Sequence, residues 1–159
     1  MLSLWLIPNH QAYQELAQLI TGLYSLDDSP RFCPHLTLLS GLSEPAEQLA
    51  PKLTAWAEAI LPISLDFHPC GELEAHYRCL FLNKQANSKI DQLRAEAQTL
   101  FEHLELHPFV PQLSFLYGAL PIFKEEAKDQ SIPLHFDRLQ LVHTAPRPNE
   151  WELLAEIKL

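Results

Sequence analysis

The sequence predicts a mixed fold of strands and helices, arranged either as α+β lobes or as an α/β sheet. Short apolar runs alternate with amphipathic stretches along the 159 residues. One eight-residue stretch is repeated about half a chain later, and no linker, low-complexity tract or block of charge divides the sequence. A chain of this length is expected to form a single domain over residues 1–159, or two small lobes that share a core.

The hydrophobic periodicity locates the predicted elements. The apolar run that opens the chain ends at Pro8 and Asn9, as a strand followed by a helix cap. Gly41 is expected to end the second strand, and Pro51 favours a break or kink near Ala50 in the second helix. We expect strands at residues 2–7, 35–40, 63–73, 77–84, 109–118, 133–144 and 150–159, and helices from Tyr13, from a cap at Ser43, over 87–104 and near 121–129.

Composition and charge exclude several classes of protein. The net charge of −9 argues against the broad basic face that duplex DNA requires, although a local anion pocket is compatible with it. The three cysteines lack paired metal spacing and are expected to be reduced, as in the cytoplasm. The first residues lack the basic region of a signal peptide, and no run approaches the length of a membrane span. We therefore expect a cytoplasmic protein without a membrane partner.

The repeated stretch carries the candidate chemistry. PHLTLLSG (34–41) and PQLSFLYG (111–118) share proline, two leucines and glycine in register. His35 and Thr37 of the first copy correspond to Gln112 and Ser114 of the second. Residues i and i+2 of a strand share a face, so each pair is expected to project together while the leucines between them enter a core.

If the two halves pack about a pseudo-two-fold axis, the two polar pairs meet at a central cleft. Such a cleft suits a cyclic phosphodiester: an imidazole with a pKa near neutrality takes a proton from water, and an opposing imidazole protonates the leaving oxygen. The hydroxyls of Thr37 and Ser114 can donate to the nonbridging phosphate oxygens as charge builds. This scheme needs neither a metal nor a cofactor.

The chain resembles the two-histidine (2H) phosphoesterase superfamily, and within it the cyclic phosphodiesterase-like branch. The resemblance rests on SLWLIP (3–8), on the two repeated stretches, and on Trp151 in the C-terminal strand. It implies a bilobal fold of two antiparallel sheets with outer helices around a central groove, related by a pseudo-two-fold internal repeat. It also implies hydrolysis of small cyclic phosphates, such as nucleoside 2′,3′-cyclic phosphates or the cyclic phosphate of ADP-ribose.

The resemblance also assigns residues. His35 and Thr37 match the family's first motif, Ser114 matches the second, and Tyr117 matches an aromatic residue that borders the site. Gln112 departs from the pattern, because the family has histidine there. A glutamine amide can hold a phosphate oxygen or a water, but it cannot exchange a proton near neutral pH.

Two functions therefore remain open. The first is a metal-independent cyclic phosphodiesterase that is slowed by the loss of one acid or base, which typically costs about 10²- to 10⁴-fold in rate. The second is a non-catalytic binder of phosphorylated nucleotides or RNA ends that uses the same cleft. Turnover distinguishes the two, because only the enzyme opens the cyclic ring.

Other polar residues are weaker candidates. Arg78, Arg138 and Arg147 are candidate phosphate partners, although surface arginines are the ordinary interpretation. His103 and His107 lie four residues apart, but the nearby Pro108 favours a solvated helix end over a metal site. A lone histidine in an apolar strand is usually structural, and the repeat is what distinguishes His35.

Overall fold

The computed structural model describes residues 1–24, 32–69, 77–82, 88–101, 112–117 and 131–159. These residues form a mixed α+β fold, as the sequence predicted, and the helix expected near 121–129 lies outside them. The strands and α-helices are β1 (Leu2–Pro8), α1 (His10–Tyr24), β2 (Leu36–Leu42), α2 (Ala46–Ala57), β3 (Ile63–Pro69), β4 (Tyr77–Leu82), α3 (Ser88–Thr99), β5 (Gln112–Tyr117), β6 (Ile132–His143) and β7 (Glu152–Lys158).

The described strands form one antiparallel sheet in the order β1-β2-β5-β4-β3-β6-β7, with a further pairing between β1 and β6. That pairing closes a ring of six strands. Phe136 of β6 lies opposite Pro8 of β1 and also opposite Ile63 of β3. The family resemblance implied two sheets, whereas the described strands belong to one continuous sheet. The 12-residue β6 joins them, because it is long enough to pair with β3, β7 and β1.

The repeated strands β2 and β5 are direct neighbours in this sheet. They pair antiparallel, with Leu36 opposite Leu113. Both leucines are fully buried in the main hydrophobic core, and Leu38 lies in the same core. The prediction that the leucines of the repeat enter a core is confirmed for these three residues. Phe115 corresponds to Leu38 in the second copy, and its side chain lies outside the described residues.

The cap predicted for the first helix is confirmed, whereas the cap predicted for the second is not. The side-chain oxygen of Asn9 accepts a hydrogen bond from the backbone N–H of Ala12 at 3.0 Å, which caps α1. Helix α2 has Pro45, not Ser43, at its N-cap position. With its N-cap two residues later than predicted, α2 still buries the apolar residues that face the core. Burial of these residues, rather than a side-chain cap, therefore determines where α2 begins.

Helix α2 also continues through Pro51, where a break or kink was expected. Proline removes one backbone donor and so costs one hydrogen bond of the helix. Leu49 and Leu53 flank it and are both fully buried, which anchors the helix on either side of the missing bond. None of the helices in the described part of the chain is long and apolar enough to cross a membrane.

A bulge shapes the strand that follows His35. Leu2 pairs with Leu42 while Ser3 pairs with Ser40, so Gly41 is an extra residue in β2. Its φ of +77° lies in the left-handed region, which glycine adopts without a steric penalty. The sequence predicted that Gly41 ends the strand. Gly41 instead lies inside β2, which continues to Leu42.

The closing hairpin of β6 and β7 is confirmed, and its connection positions an aromatic residue. The two strands pair from Arg138 opposite Lys158 to His143 opposite Glu152. In the connection between them, the indole N–H of Trp151 donates to the carbonyl oxygen of Ala145 at 2.8 Å. This hydrogen bond fixes Trp151 next to β1 and His35.

Candidate active site around His35

His35 directly precedes β2, and its side chain is buried, with 6% of its surface exposed. Its imidazole stacks on the indole of Trp5, with ring centroids 3.7 Å apart and planes 16° from parallel. Trp151 and Phe32 approach the imidazole edge-on, at centroid distances of 5.7 Å and 6.3 Å. Three aromatic rings from separate segments therefore surround the histidine.

A backbone hydrogen bond fixes the tautomer of His35. Its Nδ1 lies 2.6 Å from the carbonyl oxygen of Cys33. A carbonyl oxygen can only accept, so Nδ1 must carry the proton and donate it. In the neutral imidazole the lone pair is then on Nε2, which is the atom available to accept a proton from a substrate or a water.

Burial also changes the acidity of this histidine. Loss of contact with water disfavours the imidazolium and lowers the pKa of His35 to about 4, while the hydrogen bond to Cys33 acts in the opposite direction. The sequence-based expectation of a pKa near neutrality is therefore wrong for the free protein. The aromatic surroundings, which the motif does not encode, account for the difference.

Thr37 lies close to the same aromatic cluster. It is half-buried on β2, directly opposite Trp5 of β1. Leu36, which separates it from His35, points into the hydrophobic core. Alternation along the chain therefore puts His35 and Thr37 together on the side of the sheet that faces away from that core.

The second half of the repeat lies on β5. Its backbone pairs with β4, so that Gln112 is opposite Phe81, Ser114 opposite Cys79 and Tyr117 opposite Tyr77. The side chains of Gln112, Ser114 and Tyr117 lie outside the described residues. The pair Leu36–Leu113 is the backbone link between this strand and the one that follows His35.

The arginines considered as phosphate partners differ in their surroundings. Arg138 is held by the carboxylates of Asp137 and Glu156, at 3.1 Å and 3.4 Å, and donates to the carbonyl oxygen of Pro8 at 2.8 Å. Arg147 is exposed and lies 3.9 Å from Glu150. The side chain of Arg78 lies outside the described residues. Arg138 is thus part of a structural ion-pair network.

A second contact holds the segment that carries Cys33. Tyr13 on α1 is half-buried beside Cys33, and burial, followed by the neighbouring Cys33 side chain, raises the pKa of Tyr13. The guanidinium of Arg138 lies 5.8 Å from the centre of the Tyr13 ring. Helix α1 therefore supports the same short segment whose backbone carbonyl orients His35.

Comparison with known proteins identifies the family. The family model described as "Cyclic phosphodiesterase-like protein" matches residues 1–159, the whole chain. The chain belongs to this family. Membership supports a phosphoesterase, and thus a hydrolase, and agrees with the two-histidine superfamily predicted from the repeated motif.

Individual relatives of the family are distant in sequence and similar in fold. A cyclic phosphodiesterase of Arabidopsis thaliana is 22% identical over 127 residues, which cover 80% of this chain and 69% of the relative. TT0787 of Thermus thermophilus superposes with a TM-score of 0.64 at 15% identity, covering 99% of this chain and 97% of that one. E. coli LigT complexed with 3′-AMP gives a TM-score of 0.62 at 17% identity, with coverage of 99% and 97%. LigT structures with NADP⁺ and with ATP also match.

Potential metal ligands do not cluster in the part of the chain that the structure describes. No group of three or more His, Cys, Asp or Glu side chains there is arranged to hold an ion. The described site offers one imidazole whose Nε2 carries the lone pair in the neutral form, and one neighbouring hydroxyl, from Thr37.

The aromatic surroundings of His35 were not predicted from the sequence. Trp5 lies in a continuous apolar run, where alternation between two faces cannot be recognised. Trp151 lies near the other end of the chain and reaches His35 only because β1 and β7 both flank β6. Both tryptophans occur in stretches that carry the family resemblance, and this was the one available signal.

Proposed function

We propose that this protein hydrolyses small cyclic phosphodiesters, either a nucleoside 2′,3′-cyclic phosphate or the cyclic phosphate of ADP-ribose, without a metal. The observation that carries the proposal is the buried His35, whose Nδ1–H is donated to Cys33 so that Nε2 is free to accept a proton. Family membership supplies the reaction class. The LigT complexes with 3′-AMP, NADP⁺ and ATP support a nucleotide as the phosphate-bearing substrate.

His35 acts as the general base in this scheme. Its Nε2 takes a proton from water while the water oxygen bonds to phosphorus and one ribose oxygen leaves. The lowered pKa keeps the imidazole unprotonated at neutral pH, as a base must be. The negative charge of a bound phosphate favours the imidazolium, so substrate binding raises the pKa of His35 and strengthens it as a base.

Thr37 and Ser114 stabilise the charge that develops on the nonbridging oxygens, and Tyr117 borders the substrate. The antiparallel pair Leu36–Leu113 supports a shared site. A continuation of that register by one residue on either side would put position 37 opposite 112 and position 35 opposite 114. Directly opposed residues of antiparallel strands have Cβ atoms about 4.5–5.5 Å apart, which is close enough for both to contact one phosphate.

Gln112 occupies the position of the second family histidine. Its amide holds a phosphate oxygen or the attacking water, but it has no proton to exchange near neutral pH. The leaving ribose oxygen therefore takes its proton from solvent water, and turnover is slow. The proposal treats residues 1–159 as a single bilobal cytoplasmic domain, with the repeated pairs lining its central groove.

A second candidate function is binding without catalysis. Gln112 favours it, because replacement of one of two proton-transfer residues is how a catalytic cleft becomes a binding cleft. In that case phosphorylated nucleotides or RNA ends occupy the same groove, and His35 and Thr37 act as hydrogen-bonding groups.

Turnover and binding, measured on the same sample, distinguish the two functions. We expect 2′,3′-cyclic AMP to be opened slowly by the wild-type protein in the presence of EDTA, and we expect no opening by His35→Gln. His135→Gln is the matched control, because His135 is an exposed histidine hydrogen-bonded to Ser64. Saturable binding with no ring opening would establish the binder instead. Loss of turnover in EDTA that one divalent ion restores would contradict the metal-free mechanism.

A further inference from the structure

Trp5 covers one face of the imidazole of His35. The two rings are nearly parallel at 16°, and their centroids are 3.7 Å apart. Trp151 and Phe32, by contrast, meet the imidazole at 81° and 80° and from greater distances. Trp5 is thus the one of these three rings that lies parallel to the imidazole plane, whereas the other two are nearly perpendicular to it.

Trp5 is itself held firmly. It is 3% exposed and packs in a small cluster with Ile7 and Val142. Its ring meets Trp151 edge-on at 5.2 Å, and Trp151 is fixed by its hydrogen bond to Ala145. The indole is therefore a rigid support, built from β1, β6 and the connection that precedes β7.

We propose that Trp5 is a positioning residue, which holds the plane of the His35 imidazole so that Nε2 is directed at the reacting water. The hydrogen bond from Nδ1 to Cys33 holds the ring at one atom, and the ring can still rock about its Cβ–Cγ bond within the range of angles that a hydrogen bond tolerates. A parallel indole against one face removes this freedom. Near-attack geometry is sensitive to such freedom, because a misplacement of about 1 Å can cost about 10²-fold in rate.

The inference rests on the proposed function for its kinetic consequences, but ring order can be measured without activity. In Trp5→Leu the side chain stays apolar and the flat support is lost. We expect kcat to fall at least tenfold while KM changes less than threefold, because binding of the phosphate does not depend on the imidazole plane. Trp5→Phe keeps a flat face and is expected to retain most of kcat.

NMR relaxation of the His35 ring carbons provides the activity-independent measurement. We expect an order parameter typical of a rigid group, about 0.85, in the wild-type protein and a value below about 0.6 in Trp5→Leu. Trp56→Phe is the matched control, since Trp56 lies on α2 and packs against the main core. It should change neither kcat nor the order of the His35 ring.

The outcomes separate the two proposals. A rigid His35 ring in a folded Trp5→Leu protein, or a change confined to KM, would overturn the positioning role. A wild-type protein without turnover would contradict the proposed function, and ring order would still test the role of Trp5. If Trp5→Leu does not fold, Trp5→Phe decides between the outcomes. A kcat and a His35 ring order close to those of the wild-type protein would favour the positioning role of a flat ring at position 5, whereas a tenfold loss of kcat would contradict it.

Discussion

His35 couples the candidate active site to the stability of the fold, because protonating it in the folded protein is costly. Its pKa is about 4 when folded and near 6.5 when the chain is unfolded. Above pH 6.5 neither state binds the proton, so the full stability is present. Between pH 6.5 and pH 4 the unfolded chain takes up a proton that the folded protein does not, and stability falls with decreasing pH.

This difference predicts a measurable loss of stability in mild acid. From pH 7 to pH 5, His35 should lower the free energy of unfolding by about 2 kcal/mol. The measurement is chemical denaturation of wild type and His35→Gln at both values of pH, with exposed His135→Gln as the control. The fall should be smaller in His35→Gln by this amount and unchanged in the control. Equal falls in wild type and His35→Gln would show that the imidazole is not buried in its neutral form.

The sequence predicted that His35 and Thr37 lie near each other, but it did not predict the surroundings of His35. The repeat drew attention to His35 and Thr37, because a repeated pattern of polar and apolar residues can be recognised within one sequence. It could not predict the pKa of His35, because desolvation comes from Trp5 and Trp151, which lie at opposite ends of the sequence. The environment of a side chain is a tertiary property that a local motif does not contain.

Strand β2 connects the candidate site to the sheet through its bulge at Gly41. The bulge shifts the register between β1 and β2, and a second shift follows between Leu4 and Trp5. Both shifts determine which residue of β2 lies beside Trp5, and that residue is Thr37. The glycine of the repeated motif therefore has a structural role of its own.

Replacing this glycine tests that role. A Cβ at Gly41 would meet nothing closer than the Met1 sulfur at 4.0 Å, so any destabilisation comes from the backbone conformation. At a φ of +77°, Gly41→Ala should lower the free energy of unfolding by about 1–2 kcal/mol. Thermal denaturation measures the effect, and Ser40→Ala at the exposed neighbouring position is the control. A Gly41→Ala protein as stable as wild type would mean that the bulge relaxes to another register.

The element boundaries show where local sequence signals were sufficient. Asn9 both ends β1 and caps α1, so two local signals agreed and the prediction was correct. At α2 the local signals from Ser43 and Pro51 were outweighed by the burial of Leu49 and Leu53. Tertiary packing supplies most of the stability of a helix, and it overrides weak capping or breaking preferences.

For the whole molecule, the pairing of strands determines how the two halves of the sequence meet. The pairing of β2 with β5 and of β3 with β6 links both halves into one ring. A sequence cannot specify these contacts locally, because each joins residues that are far apart in the chain. The repeat predicted that the two motif strands are related, and the pairing makes them neighbours.

The central claim is that positions 35 and 112 act on one substrate, and a double-mutant cycle tests it most directly. The measurement is kcat/KM for 2′,3′-cyclic AMP with the wild-type protein, Gln112→His, His35→Gln and the double variant. We predict that Gln112→His raises turnover by about 10²-fold or more, because an imidazole can transfer the proton that an amide cannot. We also predict that this gain disappears when His35 is replaced. An unchanged rate in a folded Gln112→His protein, or a gain of equal size without His35, would contradict the claim.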